Sequence, residues 1–319
     1  MNKIAPVIGF VFLAVLAFLV YGFAVYDAWT LQPVVGILLT LGFVGLLFTL
    51  FNESKGLATV KVDALFTQKN LFNFIAVVIG AVLSHWINID LKQGLVIGSA
   101  VVGLVAAVLF PDYAAPAYTG SFVGMAGTTL LPAYSHIIFA GVVAGIFYIL
   151  TLAVFGGFGG KLGAIAASGC VFVGICLSTE FTHPAVPKWD IGQGLVLYSI
   201  IAAVLTYYLS NMRKQSAVLA SSAVGLTAGI LLPAVHGDVG KTLAVMAICA
   251  SFAGMSNTKR IPNLVAIAFV GLSAALVYMF ANPFIGGTGG KLGTIAFSSG
   301  MAIRGLLDLI AKFQGSRKT

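Results

Sequence analysis

The chain has 319 residues, of which 60% are hydrophobic and only 8% charged, with a mean hydropathy of +1.06. That excludes an ordinary soluble domain, in which about a quarter of residues carry charge. The net charge of +8 comes from 17 basic residues scattered over short loops, so no dense basic face exists for nucleic acid and the charge reads as membrane topology.

Apolar runs of about 15–25 residues are candidate membrane spans. They predict an all-α polytopic membrane protein with about 12 transmembrane segments. The first follows Met1-Asn2-Lys3 and runs apolar to Ala24, too long for the apolar region of a signal peptide. In order the segments lie near 4–26, 31–51, 71–88, 94–110, 116–131, 136–155, 160–177, 191–209, 216–233, 240–256, 262–281 and 290–312. Those near 116–131 and 240–256 are short and rich in Gly, Ser and Thr, the pattern of a broken or re-entrant helix.

With the N-terminus inside, the inner loops hold 13 basic residues, among them Lys3, Lys61, Lys161, Arg260, Arg304, Arg317 and Lys318. The outer loops hold 4, namely Lys92, Lys188, Lys241 and Lys291. This asymmetry places both termini in the cytoplasm, with the cell (inner) membrane as the expected location.

The chain repeats itself. Residues 121–168 laid on 251–298 at an offset of 130 give 21 identities in 48 positions, and Gly156-Gly157-Phe158-Gly159-Gly160-Lys161-Leu162-Gly163 returns as Gly286-Gly287-Thr288-Gly289-Gly290-Lys291-Leu292-Gly293. Such long-period similarity marks repeated architecture. Upstream the offset is 122 (Gly103-Leu104 on Gly225-Leu226, Pro111 on Pro233), with eight residues inserted around Val235–Ala244. A shorter likeness of Asp90–Val96 to Asp190–Val196 at an offset of 100 is read as coincidence. The expected organisation is residues 1–70 as two N-terminal helices and a cytoplasmic loop, 71–180 as a first five-span repeat and 181–319 as a second. An odd number of spans inverts the second unit, as in many secondary transporters.

Two constellations repeat. At Gly160-Lys161 and Gly290-Lys291 the glycines interrupt the helical pattern and a helix starts, so backbone N–H groups, the helix N-terminus and the lysine could take an anion. The competing reading is a tight loop whose lysine reaches lipid phosphates. The second constellation is Ser121, Phe122, Gly124 and Thr128, returning as Ser251, Phe252, Gly254 and Thr258, with Tyr118, Ser256 and Asn257 nearby. Its hydroxyls suit a discontinuous helix lining a solute path, although Ser and Thr also bond their own helices and Gly allows close packing. Ser168 and Ser298 follow the lysines by seven residues and are candidates for the same cavity.

All nine carboxylates fall in loops or near span ends, which disfavours a carboxylate proton relay. Arg304 and Asp308 are spaced as an i,i+4 ion pair. Asp112 is the acid closest to the first polar constellation. The four histidines share no ligand spacing and the three cysteines read as packing residues, so no metal site and no cofactor are expected. The run Gly237–Thr242 lacks a glycine needed for a phosphate loop. No acid or base inside the spans supports catalysis, so the protein is not expected to be an enzyme.

The sequence therefore predicts a secondary transporter or channel that moves a small polar solute between the repeats. The lysines tilt the solute toward an anion, and Na⁺ coupling through carbonyls and hydroxyls stays open. The alternatives are a lipid-headgroup flippase and a non-transporting subunit of a membrane complex. The first two helices are candidates for a homo-oligomer contact.

Overall fold

A computed structural model describes residues 4–57 and 64–316. Lys3, Lys61, Arg317 and Lys318 of the charge asymmetry lie outside the described residues. Among the described residues the fold is all-helical, with 11 α-helices. They are α1 (Ile4–Leu31), α2 (Pro33–Gly56), α3 (Gln68–His85), α4 (Gly94–Leu109), α5 (Ala114–Val123), α6 (Tyr134–Leu150), α7 (Lys161–Cys176), α8 (Trp189–Tyr207), α9 (Ala217–Gly254), α10 (Leu264–Phe280) and α11 (Lys291–Ser316). Six helical stretches are long and apolar enough to cross a membrane, and α4, α6, α7 and α10 are apolar but shorter. This is the architecture of a multi-pass helical membrane protein. The outward faces of α1 and α2 are apolar, with Val11, Val15, Leu38 and Leu41 exposed, because lipid, like a protein core, prefers hydrocarbon to polar groups.

Helix α9 covers both the ninth and the tenth expected segments. Its 38 residues contain one non-helical position, Gly237 (φ 60°, ψ −135°). A Cβ on Gly240 would stand 2.0 Å from the Leu232 carbonyl oxygen, and one on Gly225 would stand 2.9 Å from Ile248. A straight helix separates residues 232 and 240 by about 12 Å at 1.5 Å per residue. The chain therefore reverses at Gly237, and α9 is a hairpin of two arms, 217–236 (α9a) and 238–254 (α9b). The expected short segment near 116–131 is shorter still: α5 has 10 residues, about half a bilayer at that rise, and then leaves the helix through the turns at 124–133.

Elements recur at the offsets read from the sequence. The π-helical turn Trp86–Asp90 closes α3 and the π-helical turn Tyr208–Met212 closes α8, at an offset of 122. Lys92 and Lys214, which follow them, both take the left-handed conformation (φ 55° and 57°). Helix α8 thus corresponds to α3 and not, as the offset of 100 would have it, to α4. Further on, α6 and α10 start and end 130 residues apart, and α7 and α11 start so.

Counterparts pack against each other with opposed chain directions. Gly103 on α4 faces Ser222 on α9a, while Val96 faces Gly229. On α7, Gly163 meets Gly293 of α11, and Ala167 meets Gly290. In each case one number rises as the other falls. The α1–α2 hairpin lies against α10, α11, α7 and α6, held by the Tyr21 and Ser273 hydroxyls at 3.2 Å and by Thr49 Oγ1 donating to the Met301 carbonyl at 2.8 Å.

Candidate functional site

The two short helices α5 and α9b meet in the interior. Phe122 and Phe252, 1% and 0% exposed, bring their rings to 4.5 Å between centroids. Tyr118 closes the group, 4.4 Å from Phe122 and edge-on to Phe252 at 5.9 Å. The edge-on contact is one of the geometries that aromatic rings prefer; the other two pairs are tilted, at 56° and 49°.

Hydroxyls surround the rings. Ser121 pairs with Ser99 at 2.8 Å and Ser251 with Ser221 at 2.9 Å, while Tyr118 reaches across to Ser221 at 3.1 Å. Ser121 and Ser251 each also donate to a carbonyl one turn back, of Tyr118 and Ile248. The two serine pairs correspond at 130 for one member and 122 for the other. Ser99 and Ser221 are partners that the motif reading missed; the upstream offset already aligns them. The rings and hydroxyls carry no formal charge.

Each Gly-rich loop rests on the short helix of the other half. A Cβ on Gly159 would stand 2.3 Å from the Phe252 carbonyl oxygen, and one on Gly289 would stand 2.5 Å from that of Phe122. Backbone bonds fix the contact reciprocally: Gly127 N donates to Gly287 O at 2.9 Å and Asn257 N to Gly157 O at 3.0 Å. Gly160 and Gly290 take φ of 80° and 82°, which glycine adopts without penalty, and their missing side chains admit α11 and α7 respectively.

Lys161 and Lys291 serve the ends of the preceding helices. Lys161 Nζ donates to the carbonyls of Thr151 and Val154, both at 2.6 Å, and Lys291 Nζ to that of Asn282 at 2.8 Å. Thr151 directly follows α6 and Asn282 lies two residues beyond α10, where unpaired carbonyls and the negative end of the helix dipole favour a cation. Lys291 is 8% exposed and Lys161 half-buried, and with both ammonium groups bonded to helix-end carbonyls neither is a loop lysine reaching for headgroups; both leave the count of topology charges without changing its sign. Lys161→Met is expected to lower the melting temperature in detergent more than Lys291→Met. It strands two carbonyls instead of one, at about 1–3 kcal/mol each. Equal shifts would show that these bonds do not set the cost.

The remaining expected site residues do not converge on the rings. Ser168 and Ser298 are buried but donate to their own helices, to Ala164 O and Ile295 O. Gly124 and Gly254 are packing glycines, pressed against the carbonyls of Ala81 on α3 and Ala203 on α8. Thr128 and Thr258 are exposed on the turns beyond α5 and α9b. Their hydroxyls, repeated in both halves, suggested a place on the solute path; the helices end before reaching them.

Beside the centre lie two apolar grooves, of about 440 Å³ between α3, α4 and α5 and about 340 Å³ between α8 and α9. They correspond over much of their lining: Ile79, Leu83, Val102 and Ala117 in the first match Ile201, Leu205, Val224 and Ala247 in the second. Among the described residues no group of three or more His, Cys, Asp or Glu is placed to hold a metal ion. The chain matches no protein-family model, no curated protein and no solved structure.

Proposed function

We propose that the protein is a membrane transport protein, a secondary transporter or channel, that moves a small polar solute between two five-segment units of opposite orientation. The observation that carries this reading is the meeting of two short helices, α5 and α9b, at a ring pair framed by hydroxyls. Helices that stop inside the bilayer leave backbone groups needing partners there, and membrane proteins tolerate this where protein or a solute cavity supplies them. The opposed directions of α4 against α9a and of α7 against α11 support an inversion axis through this point. On this reading twelve segments enter the membrane, α9 contributing two, and the rings hold the path in a closed state.

The solute class follows from the chemistry at the centre. The lysine ammonium groups are bonded to helix-end carbonyls, and the rings and hydroxyls are neutral. That favours an uncharged polar solute over the anion the sequence had suggested. Ion coupling need not involve a carboxylate, since the ends of α5 and α9b present carbonyls. Both termini lie on the cytoplasmic side of the cell membrane. In support, Glu53, Arg260 and Arg304 gather at one end, while Gln32 bonds Trp189 at the end where α1 passes into α2.

Flux into proteoliposomes for a panel of small uncharged solutes and small anions tests this. Saturable uptake of an uncharged member, with anions excluded, is the expected result. Uptake of anions alone would overturn the solute class. Absence of flux for the whole panel would remove the transport reading, and movement of a labelled lipid between leaflets in the same vesicles would replace it with lipid handling.

A further inference from the structure

The two units agree in backbone so closely that their differences in side chain stand out, and the sharpest lies just beyond the two short helices. Where Leu130, fully buried, follows α5, its counterpart after α9b is Arg260. Both positions sit beside a Gly-rich loop of the other unit. The two loop carbonyls that correspond, Gly286 O and Gly156 O, are satisfied in different ways. Gly286 O accepts from the backbone N–H of Thr182 at 3.1 Å, within the segment joining the units. That segment is further tied by Asn282 Nδ2 to Ala185 O at 2.7 Å. Gly156 O accepts instead from Arg260 Nε at 2.8 Å.

The Arg260 guanidinium does three further things. It lies 4.3 Å over the ring of Phe158. It takes the Glu53 carboxylate in a two-pronged pair, Nη1–Oε1 at 2.5 Å and Nη2–Oε2 at 3.1 Å. Its own backbone carbonyl, with that of Lys259, is held by Arg304 Nη1. The other ion pairs among the described residues, Lys241–Asp238 and Arg304–Asp308, are three or four residues apart along a single helix. Glu53 and Arg260 are 207 residues apart and join α2 to the loop after α9b.

Resting on the transport reading, we propose that the Glu53–Arg260 pair is a latch that keeps one end of the path shut, with α2 as its fixed post. Beneath Arg260 the two loops are joined by Gly159 N donating to Ser256 Oγ at 2.9 Å and by Asn257 N donating to Gly157 O. Opening this end means drawing those loops apart. Arg260 would then leave Gly156 O and Phe158. Helix α2 cannot follow, because its Gly45 is packed on the Ala302 backbone of α11 and its Thr49 bonds Met301. The carboxylate of α2 therefore opposes the movement. A two-pronged charged pair with both side chains at a quarter exposure or less is stronger than a surface pair and less screened by salt. The opposite end has no charge at the matching place, only Leu130 and the strap at 182–185, so the two ends respond to different conditions.

The test is thiol accessibility in the full-length protein in membrane vesicles, read with a membrane-impermeant maleimide and located by mass spectrometry so that Cys170, Cys176 and Cys249 are scored apart. Ser256→Cys and Ala126→Cys report the two ends at corresponding places, both fully buried. Glu53→Gln, which keeps the shape and removes the charge, is expected to raise the labelling rate of Ser256→Cys by about tenfold, the equivalent of ~1.4 kcal/mol, while Ala126→Cys stays protected. An unchanged rate at Ser256→Cys would overturn the latch. An equal rise at both positions would do so too, since it would mean general loosening. Labelling needs no transported solute, so a failed flux panel alongside the expected labelling pattern sinks the transport reading and leaves the latch standing.

Discussion

Gly163→Leu is expected to yield no folded protein, and Gly293→Leu the same. A Cβ on Gly163 would stand 2.6 Å from the Cα of Gly293, and one on Gly293 would stand 2.5 Å from the Cα of Gly163. Both obstacles are backbone, so no side chain can swing aside, and α7 and α11 would have to separate. Separation would pull Gly160 and Gly290 off the opposing helices and the Gly-rich loops off α5 and α9b. Overpacking a tight contact costs about 1–3 kcal/mol for a small intrusion, so Gly163→Ala should lower the melting temperature measurably, and leucine should exceed what a marginally stable fold can absorb. Gly156→Ala is the control. Its added Cβ meets nothing within 4 Å, and its melting temperature should stay near that of the unmodified protein. A monodisperse, normally melting Gly163→Leu would show that this crossing is not the fulcrum of the fold.

Phe122→Ala and Phe252→Ala should each cost about 3–5 kcal/mol of stability, the usual price of emptying a buried aromatic site. The double variant should cost less than the sum. The rings touch, so each single change already removes the ring–ring contact, worth about 0.5–1.5 kcal/mol. If the path passes between them, the surviving single variants should admit larger solutes than the unmodified protein, with uptake no longer saturable. A fall in melting temperature with unchanged solute selection would make the rings core residues and send the path elsewhere. Melting curves and the flux panel together separate the two outcomes.

Much of the helical layout was legible because it rests on patterns that do not depend on packing. Apolar run length located the helices of a multi-pass membrane protein, though not all of their ends, and the 130-residue offset matched α6 to α10 and the start of α7 to that of α11. The upstream offset of 122 proved as informative, since the π-helical turns at Trp86–Asp90 and Tyr208–Met212 obey it. The extent of α5 was less legible. The Gly, Ser and Thr that flagged it weaken a helix without saying where it stops. The roles of Lys161 and Lys291 were not legible at all. A cation at a helix start invites an anion from outside the chain, yet the Gly-rich loop is short enough to fold the side chain back onto the preceding helix end. Thr128 and Thr258 were grouped with the site by repetition, which pairs positions in the two halves and says nothing about the direction of a side chain. Ser99 and Ser221 were passed over because a lone serine in an apolar run has no local signature; only the partner across the helix pair gives it one.

The reciprocal seating of the Gly-rich loops bears on how the chain is made. The loop at 156–160 rests on α9b, and α5 receives the loop at 286–290. When the first half has left the ribosome, its loop has no seat and its short helix has no cover, because both are still to be synthesised. The first half must therefore wait in the membrane with unsatisfied backbone groups, a state that invites water or assisting factors to stand in. Seating is then staged, the first seat closing when α9b is made and the second when the loop at 286–290 is made, and truncations before Gly286 are expected to show lower steady-state levels by immunoblot than the 319-residue chain.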